Sequence, residues 1–189
     1  MGRIGSHDYE LTDGVIGLRP LAFEDAERHL AGEDEEQVRW LNEGYWSTPE
    51  TVRRHIERMQ EARRQGIALW NFGAWEVATG DLVGNIEANG LPGRLVGVGP
   101  GEANISYVIF PDWRRQGYAV RSVNLICRFL KDNGFERAII RVHPDNEASA
   151  KVARRAGFHP EHMLENIHGP LRRYARDLDR DAKDAQRQM

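Results

Sequence analysis

Between residues 105 and 158 the pattern of apolar and polar positions changes period four times. Ile105, Tyr107 and Ile109 alternate with Ser106, Val108 and Phe110, the period of two that a strand covered on both faces shows. Pro111 and Asp112 stop it. Over residues 119–133 the apolar positions Val123, Ile126, Cys127 and Leu130 recur at helical spacing, with Arg121, Asn124, Arg128 and Lys131 between them. That pattern predicts an amphipathic helix ended by Gly134. Ala138, Ile139, Ile140 and Val142 form the short apolar run of a buried parallel strand. A second short helix follows, capped by Asp145 or Asn146, lined by Ala148, Val152 and Ala156, and ended by Gly157.

The same reading extends to both sides. Residues 1–13 are polar and are expected to be a mobile N-terminal segment. A first strand is expected over residues 15–18, stopped by Pro20, and a short helix over 25–30. The acidic run from Glu33 to Glu36 reads as a solvated face. Trp40, Leu41, Tyr45 and Trp46 either cover the core beside the next helix or wall a binding pocket. Thr48 and Pro49 start a helix running to about Gln65, with Val52, Ile56 and Met59 inward. Residues 68–77 and 82–88 form a hairpin across Thr79-Gly80-Asp81, with Trp70, Phe72 and Trp75 in the core. Residues 90–101 hold five glycines and two prolines, a flexible loop placed to gate a cleft. Last strands are expected over 163–167 and 173–178, and a charged tail over 179–189. The class is α/β, with one domain over residues 14–178.

Composition narrows the picture. A chain of 189 residues, 40% hydrophobic, with net charge −3, has enough core for one ordinary domain and lacks the basic footprint of a nucleic-acid binder. No window is apolar enough for a membrane span and no signal-peptide core is present, so a cytoplasmic location is expected. The single cysteine, Cys127, falls on the apolar face of a helix and reads as a core residue. No metal set is expected.

Chemistry enters at Arg114-Arg115-Gln116-Gly117-Tyr118-Ala119, between strand and helix. A glycine and a small alanine let main-chain N–H groups converge on an oxyanion, and the helix start adds roughly half a positive charge. Two neighbouring arginines suit a diphosphate. Here the sequence resembles the GNAT superfamily of acetyl-CoA-dependent N-acetyltransferases, above all its Rim-type ribosomal-protein subgroup. Arg114, Gly117 and Ala119 match the family's Q/R-x-x-G-x-G/A loop; Asn146, Ser149, Gly157 and Phe158 match its downstream pattern. The resemblance implies a mixed, splayed sheet of six to seven strands flanked by about four helices. It implies main-chain pairing of Tyr107, Val108 and Ile109 with pantetheine. It also implies a diphosphate held by Arg114, Arg115, Gln116, Gly117, Tyr118 and Ala119, with Asn146 and Ser149 on the pantetheine arm.

The resemblance leaves the proton-moving groups open. Asn104 stands where many relatives carry a carboxylate, which leaves Glu102, Glu87 and His168 as candidate bases, or capture of an amine that is already neutral. Ala153 stands where many relatives carry an acidic tyrosine, so Ser149 is the candidate acid, unless its hydroxyl only bonds the helix backbone. His143 is expected to shape a strand end. The implied function is transfer of an acetyl group from acetyl-CoA to a primary amine, a protein N-terminus or a small molecule, in a ternary complex. The implied assembly is a monomer or homodimer. The alternative is a non-catalytic acyl-CoA sensor.

Overall fold

Val123, Ile126, Cys127 and Leu130 are each no more than 2% exposed, and they turn one face of their helix onto a sheet. The computed structural model describes residues 9–179. In chain order its elements are β1 (Leu11–Thr12), β2 (Ile16–Pro20), α1 (Ala26–Ala31), α2 (Glu35–Trp40), α3 (Pro49–Arg64), β3 (Leu69–Glu76), β4 (Leu82–Asn89), β5 (Glu102–Ile109), α4 (Tyr118–Asp132), β6 (Arg137–Val142), α5 (Glu147–Arg155), β7 (His159–Leu164) and β8 (Leu171–Asp177). The strands form one sheet in the order β1-β2-β3-β4-β5-β6-β8-β7. Only the β5–β6 pair is parallel.

The alternation along β5 distributes its side chains to two cores. Ile105 and Ile109 pack with Ile86, Val123, Ile126 and Leu130 beneath α4. Val108 and Phe110 pack with Val52, Ile56 and Trp75 beneath α3. Each aliphatic side chain buried this way contributes about 1.5–3 kcal/mol, so the central strand is fixed from both faces. Helix α3 starts as its sequence indicates: the Thr48 hydroxyl accepts from Thr51 N, and Pro49 occupies the first turn.

The α/β class and the mixed sheet are as expected, with two short elements beyond the expected number. One is β1, within the segment expected to be mobile, which pairs Leu11 with Leu18. The other is α2, which turns the acidic run from a plain solvated face into a helix start. Asp34 caps it by accepting from Gln37 N, and Glu35 and Glu36 occupy the positive end of its dipole. Strand β7 begins at His159 rather than near 163, because it is an edge strand with exposed, polar side chains and no alternation to read. Apart from Asp179, the expected C-terminal tail lies outside the described residues.

The loop over residues 90–101 does not lie where a gate would need to be. Val98 is buried against Ile139 and Ala175, and the Gly97 carbonyl accepts from Arg173 Nε at 2.8 Å. The loop is tied to the end of the sheet where β5 begins, opposite to the end where β5 and β6 part.

Candidate active site

Strands β5 and β6 run together for three residue pairs, Glu102 with Arg137, Ala103 with Ala138 and Asn104 with Ile139, and then separate. Their outer edges stay paired, β5 to β4 as far as Ile109 opposite Gly84, and β6 to β8 as far as Val142 opposite Arg172. A wedge therefore opens between two strands that are each anchored from behind, exposing main-chain groups with no strand partner on the inner side. At the fork, Arg141 Nε donates to Asn104 Oδ1 at 3.0 Å, and Asn104 Nδ2 donates to Ser106 Oγ at 3.1 Å. Burial lowers the Arg141 pKa.

The turn at the wedge mouth has the conformation that gathers N–H groups. Arg115 (φ 61°) and Gly117 (φ 85°) are both left-handed, flanking Gln116 just before α4. Left-handed residues alternating along a turn make an anion-binding concavity, and the α4 dipole reinforces it. A Cβ placed on Gly117 would meet nothing within 4 Å, so the space above the turn is open. The two arginines differ. Arg114 gives both terminal nitrogens to Asp34 (2.8 and 2.9 Å), one also to Glu36 (2.7 Å), and its Nε to the Ile109 carbonyl at 2.8 Å. Burial alone would raise the Asp34 pKa, but the Arg114 guanidinium holds it below its ordinary value. Arg115 is exposed and has no ion pair among the described residues, so it is the cation free to meet a phosphate. Tyr118 lends the turn only its main chain, since its ring is buried and its hydroxyl donates to Glu76.

Across the wedge, Asn146 caps α5 by accepting from Ser149 N at 2.9 Å. That bond uses only its oxygen and leaves its amide hydrogens for a ligand. Ser149 sits in the first turn of α5, and its hydroxyl lies 2.9 Å from the Tyr107 hydroxyl, which also reaches the Ser149 carbonyl at 3.3 Å. Burial pushes the Tyr107 phenol up to about 12, the Ser149 hydrogen bond working against the rise. Ala153 is fully buried in the core beneath α5.

The rim is built from two loops. His168, between β7 and β8, places Nε2 3.2 Å from Glu43 Oε1 in the loop before α3. Glu43 is itself held at φ 53°, a strained conformation for a non-glycine residue. Trp40 stacks on His143 with ring centroids 5.2 Å apart, and the His143 carbonyl accepts from Asn146 N. Leu41, Tyr45 and Trp46 are 44%, 76% and 58% exposed, so these three side chains do not cover the core.

The remaining two candidate carboxylates lie apart from this mouth or are committed within it. Glu102 sits at the closed end of the fork, where Oε1 accepts from Arg137 (2.9 Å) and Arg173 (2.5 Å) and Oε2 from Gly99 N (2.9 Å). Burial would raise its pKa, but hydrogen bonds from Arg173 and Gly99 and the two guanidinium charges hold it below its ordinary value. Glu87 Oε1 accepts from Asn71 Nδ2 and pairs with His55 Nε2, both at 2.9 Å, which ties β4 to α3. Burial works to raise its pKa as well, yet His55 and Asn71 hold it lowered. Sequence reading did not single out the Tyr107 hydroxyl, Glu43 or His55. The facing of Tyr107 was legible in the alternation of β5, but its partner Ser149, like those of Glu43 and His55, is set by distant chain packing.

A cavity of about 560 Å³ lies elsewhere, lined in part by Arg137, Arg155, Glu161 and Arg176. It opens on the closed end, where Arg137 is spent on Glu102, Glu161 and Asp177. Among the described residues no cluster of three or more His, Cys, Asp or Glu is arranged to hold a metal, and no helix is long and apolar enough to cross a membrane.

A mixed sheet that forks here therefore opens beside a turn of converging N–H groups and a pair of facing hydroxyls. The chain belongs to the GNAT acetyltransferase family: the model of the acetyltransferase (GNAT) domain matches residues 16–159. It is an acetyl-CoA-dependent acetyltransferase by class. No curated protein matches it. Solved structures with the same fold include RimL, a ribosomal L7/L12 α-N-protein acetyltransferase in complex with coenzyme A, at TM-score 0.75 and 19% identity, covering 90% of this chain and 99% of that one. The ribosomal-protein-S5-alanine acetyltransferase from Vibrio fischeri aligns at TM-score 0.69 and 16% identity, covering 87% and 93%. The aminoglycoside acetyltransferase AAC(6')-Ib, in complex with coenzyme A, aligns at TM-score 0.72 and 16% identity, covering 91% and 99%.

Proposed function

We propose that the protein transfers an acetyl group from acetyl-CoA to a primary amine, a protein N-terminus or a small-molecule amine, directly within a ternary complex. The observation that carries this reading is the open wedge between β5 and β6, with the Arg115–Gly117 turn at its mouth and Ser149 on its far wall. The residues fit the donor. Arg115, the N–H groups of the turn and the start of α4 receive the diphosphate; the Asn146 amide and the unpaired inner edge of Tyr107 to Ile109 receive the pantetheine. Acetyl-CoA supplies the activated thioester. The chain supplies its position, an acid and a base.

Ser149 is the acid at the departing sulfur. His168 is the base: a carboxylate only accepts, so the nitrogen facing Glu43 carries the hydrogen and Nδ1 keeps the lone pair that takes the amine's proton. Glu102 is excluded by its two arginines, and Glu87 is a weak base because His55 and Asn71 favour its ionised form. The reading assigns this work to one domain over residues 14–178, in the cytoplasm, as a monomer or homodimer. The test is thiol release from acetyl-CoA against peptide N-termini, amino sugars, polyamines and amino acids. Release with one class confirms the reading and names the acceptor. Silence across the panel, with acetyl-CoA bound in the same sample, replaces it with the sensor.

A further inference from the structure

We propose that Tyr107 is a positioning residue for the chemical step: its phenol donates to Ser149 Oγ and so turns the serine hydrogen toward the departing sulfur. The inference rests on the acetyl-transfer reading above and adds to it a side chain that the resemblance used only through its main chain.

Three observations carry it. The two hydroxyls lie 2.9 Å apart, and the longer approach of the phenol to the Ser149 carbonyl, 3.3 Å, is the weaker alternative. The main chain of Ser149 is already fixed in place, because its backbone N–H is given to the Asn146 side chain at the cap of α5. Helix α5 carries no tyrosine, and Ala153, one turn further along it, is a buried core residue. The strand delivers a phenolic hydroxyl to a first turn whose helix does not carry one.

The direction of the shared hydrogen follows from acidity. A phenol is a stronger donor and a poorer acceptor than an alkyl hydroxyl. With its pKa pushed up to about 12, Tyr107 keeps its proton throughout the working range and never becomes an acceptor that claims the serine hydrogen. Ser149 Oγ, accepting from Tyr107, has its own hydrogen left to donate. As the bond from the amine nitrogen to the acetyl carbon forms and the carbon–sulfur bond breaks, the electron pair goes to sulfur. The serine O–H passes its proton to that sulfur as the bond breaks and is itself reprotonated from water, while the amine's proton goes to the base. Tyr107 changes charge at no point.

The test compares Tyr107→Phe, Ser149→Ala and the double variant in the thiol-release assay, with acetyl-CoA affinity measured on each. Tyr107→Phe keeps the ring and removes one hydroxyl. It should lower kcat roughly ten- to hundredfold, as loss of one aimed donor does, with KM and the acetyl-CoA Kd changed by less than about threefold. Because Tyr107 acts through Ser149, the double variant should be no slower than Ser149→Ala alone. Wild-type turnover by Tyr107→Phe overturns the inference, and so does a double variant whose loss is the product of the two single losses. So does a fall in affinity that accounts for the lost rate, which would mark a merely structural contact. Each of these leaves acetyl transfer standing. Wild-type protein that releases no thiol with any amine overturns the reading beneath, and this inference with it.

Discussion

The two ends of the β5–β6 pair are made of the same two strands and do opposite things. At the closed end the charges on the strands answer one another: Glu102 takes Arg137 and Arg173, and Arg137 also meets Glu161 and Asp177. At the open end, beside the fully engaged Arg114, several groups keep a bond to spare. Asn146 uses its oxygen and keeps its amide, Ser149 receives a hydrogen and keeps its own, and Arg115 has no ion pair among the described residues. A polar group with all its bonds made is structure, whereas one fixed in direction with a bond to spare is chemistry. By that criterion Glu102 belongs to the frame, although its place on the central strand favours it on sequence alone.

The comparison breaks most sharply at Gly117. Gly117→Val places a β-branched residue at φ 85°, costing about 1–3 kcal/mol of backbone strain. Nothing in the protein lies within 4 Å of the new Cβ, so the fold has no clash to relieve. The branch instead occupies the open space over the turn. Acetyl-CoA affinity should fall at least roughly a hundredfold, by strain in the turn and loss of room together, while the melting temperature falls by only the several degrees that the strain itself accounts for. Near-normal affinity in a titration removes the turn as the diphosphate site.

The closed end should fail differently. Arg173 is 5% exposed and Glu102 13%, so Arg173→Met leaves a nearly buried carboxylate with one guanidinium fewer and should cost about 3 kcal/mol of unfolding free energy. Chemical denaturation reads the loss, and the protein that remains folded should keep its acetyl-CoA affinity. The pH dependence has a definite sign. Glu102 sits below its ordinary value of 4.5 in the folded state, so its contribution is present above that value and is lost as pH falls through the folded pKa. Glu102→Gln should therefore flatten the acid limb of stability while leaving the rate profile of the surviving enzyme unchanged. A selective loss of turnover would move Glu102 from the frame to the site.

Most of this frame is readable from local pattern, because the elements that hold it are long and periodic. The alternation in β5, the apolar stripe of α4, the capped start of α3 and the Asn146 cap of α5 all depend on neighbours within one or two turns. What escaped depends on chain far away. Helix α2 hides inside an acidic run because its purpose is a partner about eighty positions on, Arg114, and the loop before β5 looks mobile until Val98 is seen buried against Ile139 and Ala175. The site follows the same division. Gly117, Asn146 and Ser149 are marked by spacing, whereas the bond from Tyr107 to Ser149 joins residues 42 apart in sequence, and the pairing of His168 with Glu43 is longer still.

That last pair gives the smallest effect and the finest discrimination. His168 and Glu43 are both about half exposed, so water competes for each of them and neither anchors the fold. His168→Ala should lower kcat/KM for the amine about tenfold, within the range that general-base catalysis contributes, with acetyl-CoA affinity unchanged. Glu43→Gln keeps a hydrogen-bonding oxygen but no negative charge, so the tautomer is set less firmly and the loss should be about threefold or less. If His168→Ala turns over as fast as the wild type, the amine reaches the thioester already neutral. The open end then contributes position and an acid, and no base at all.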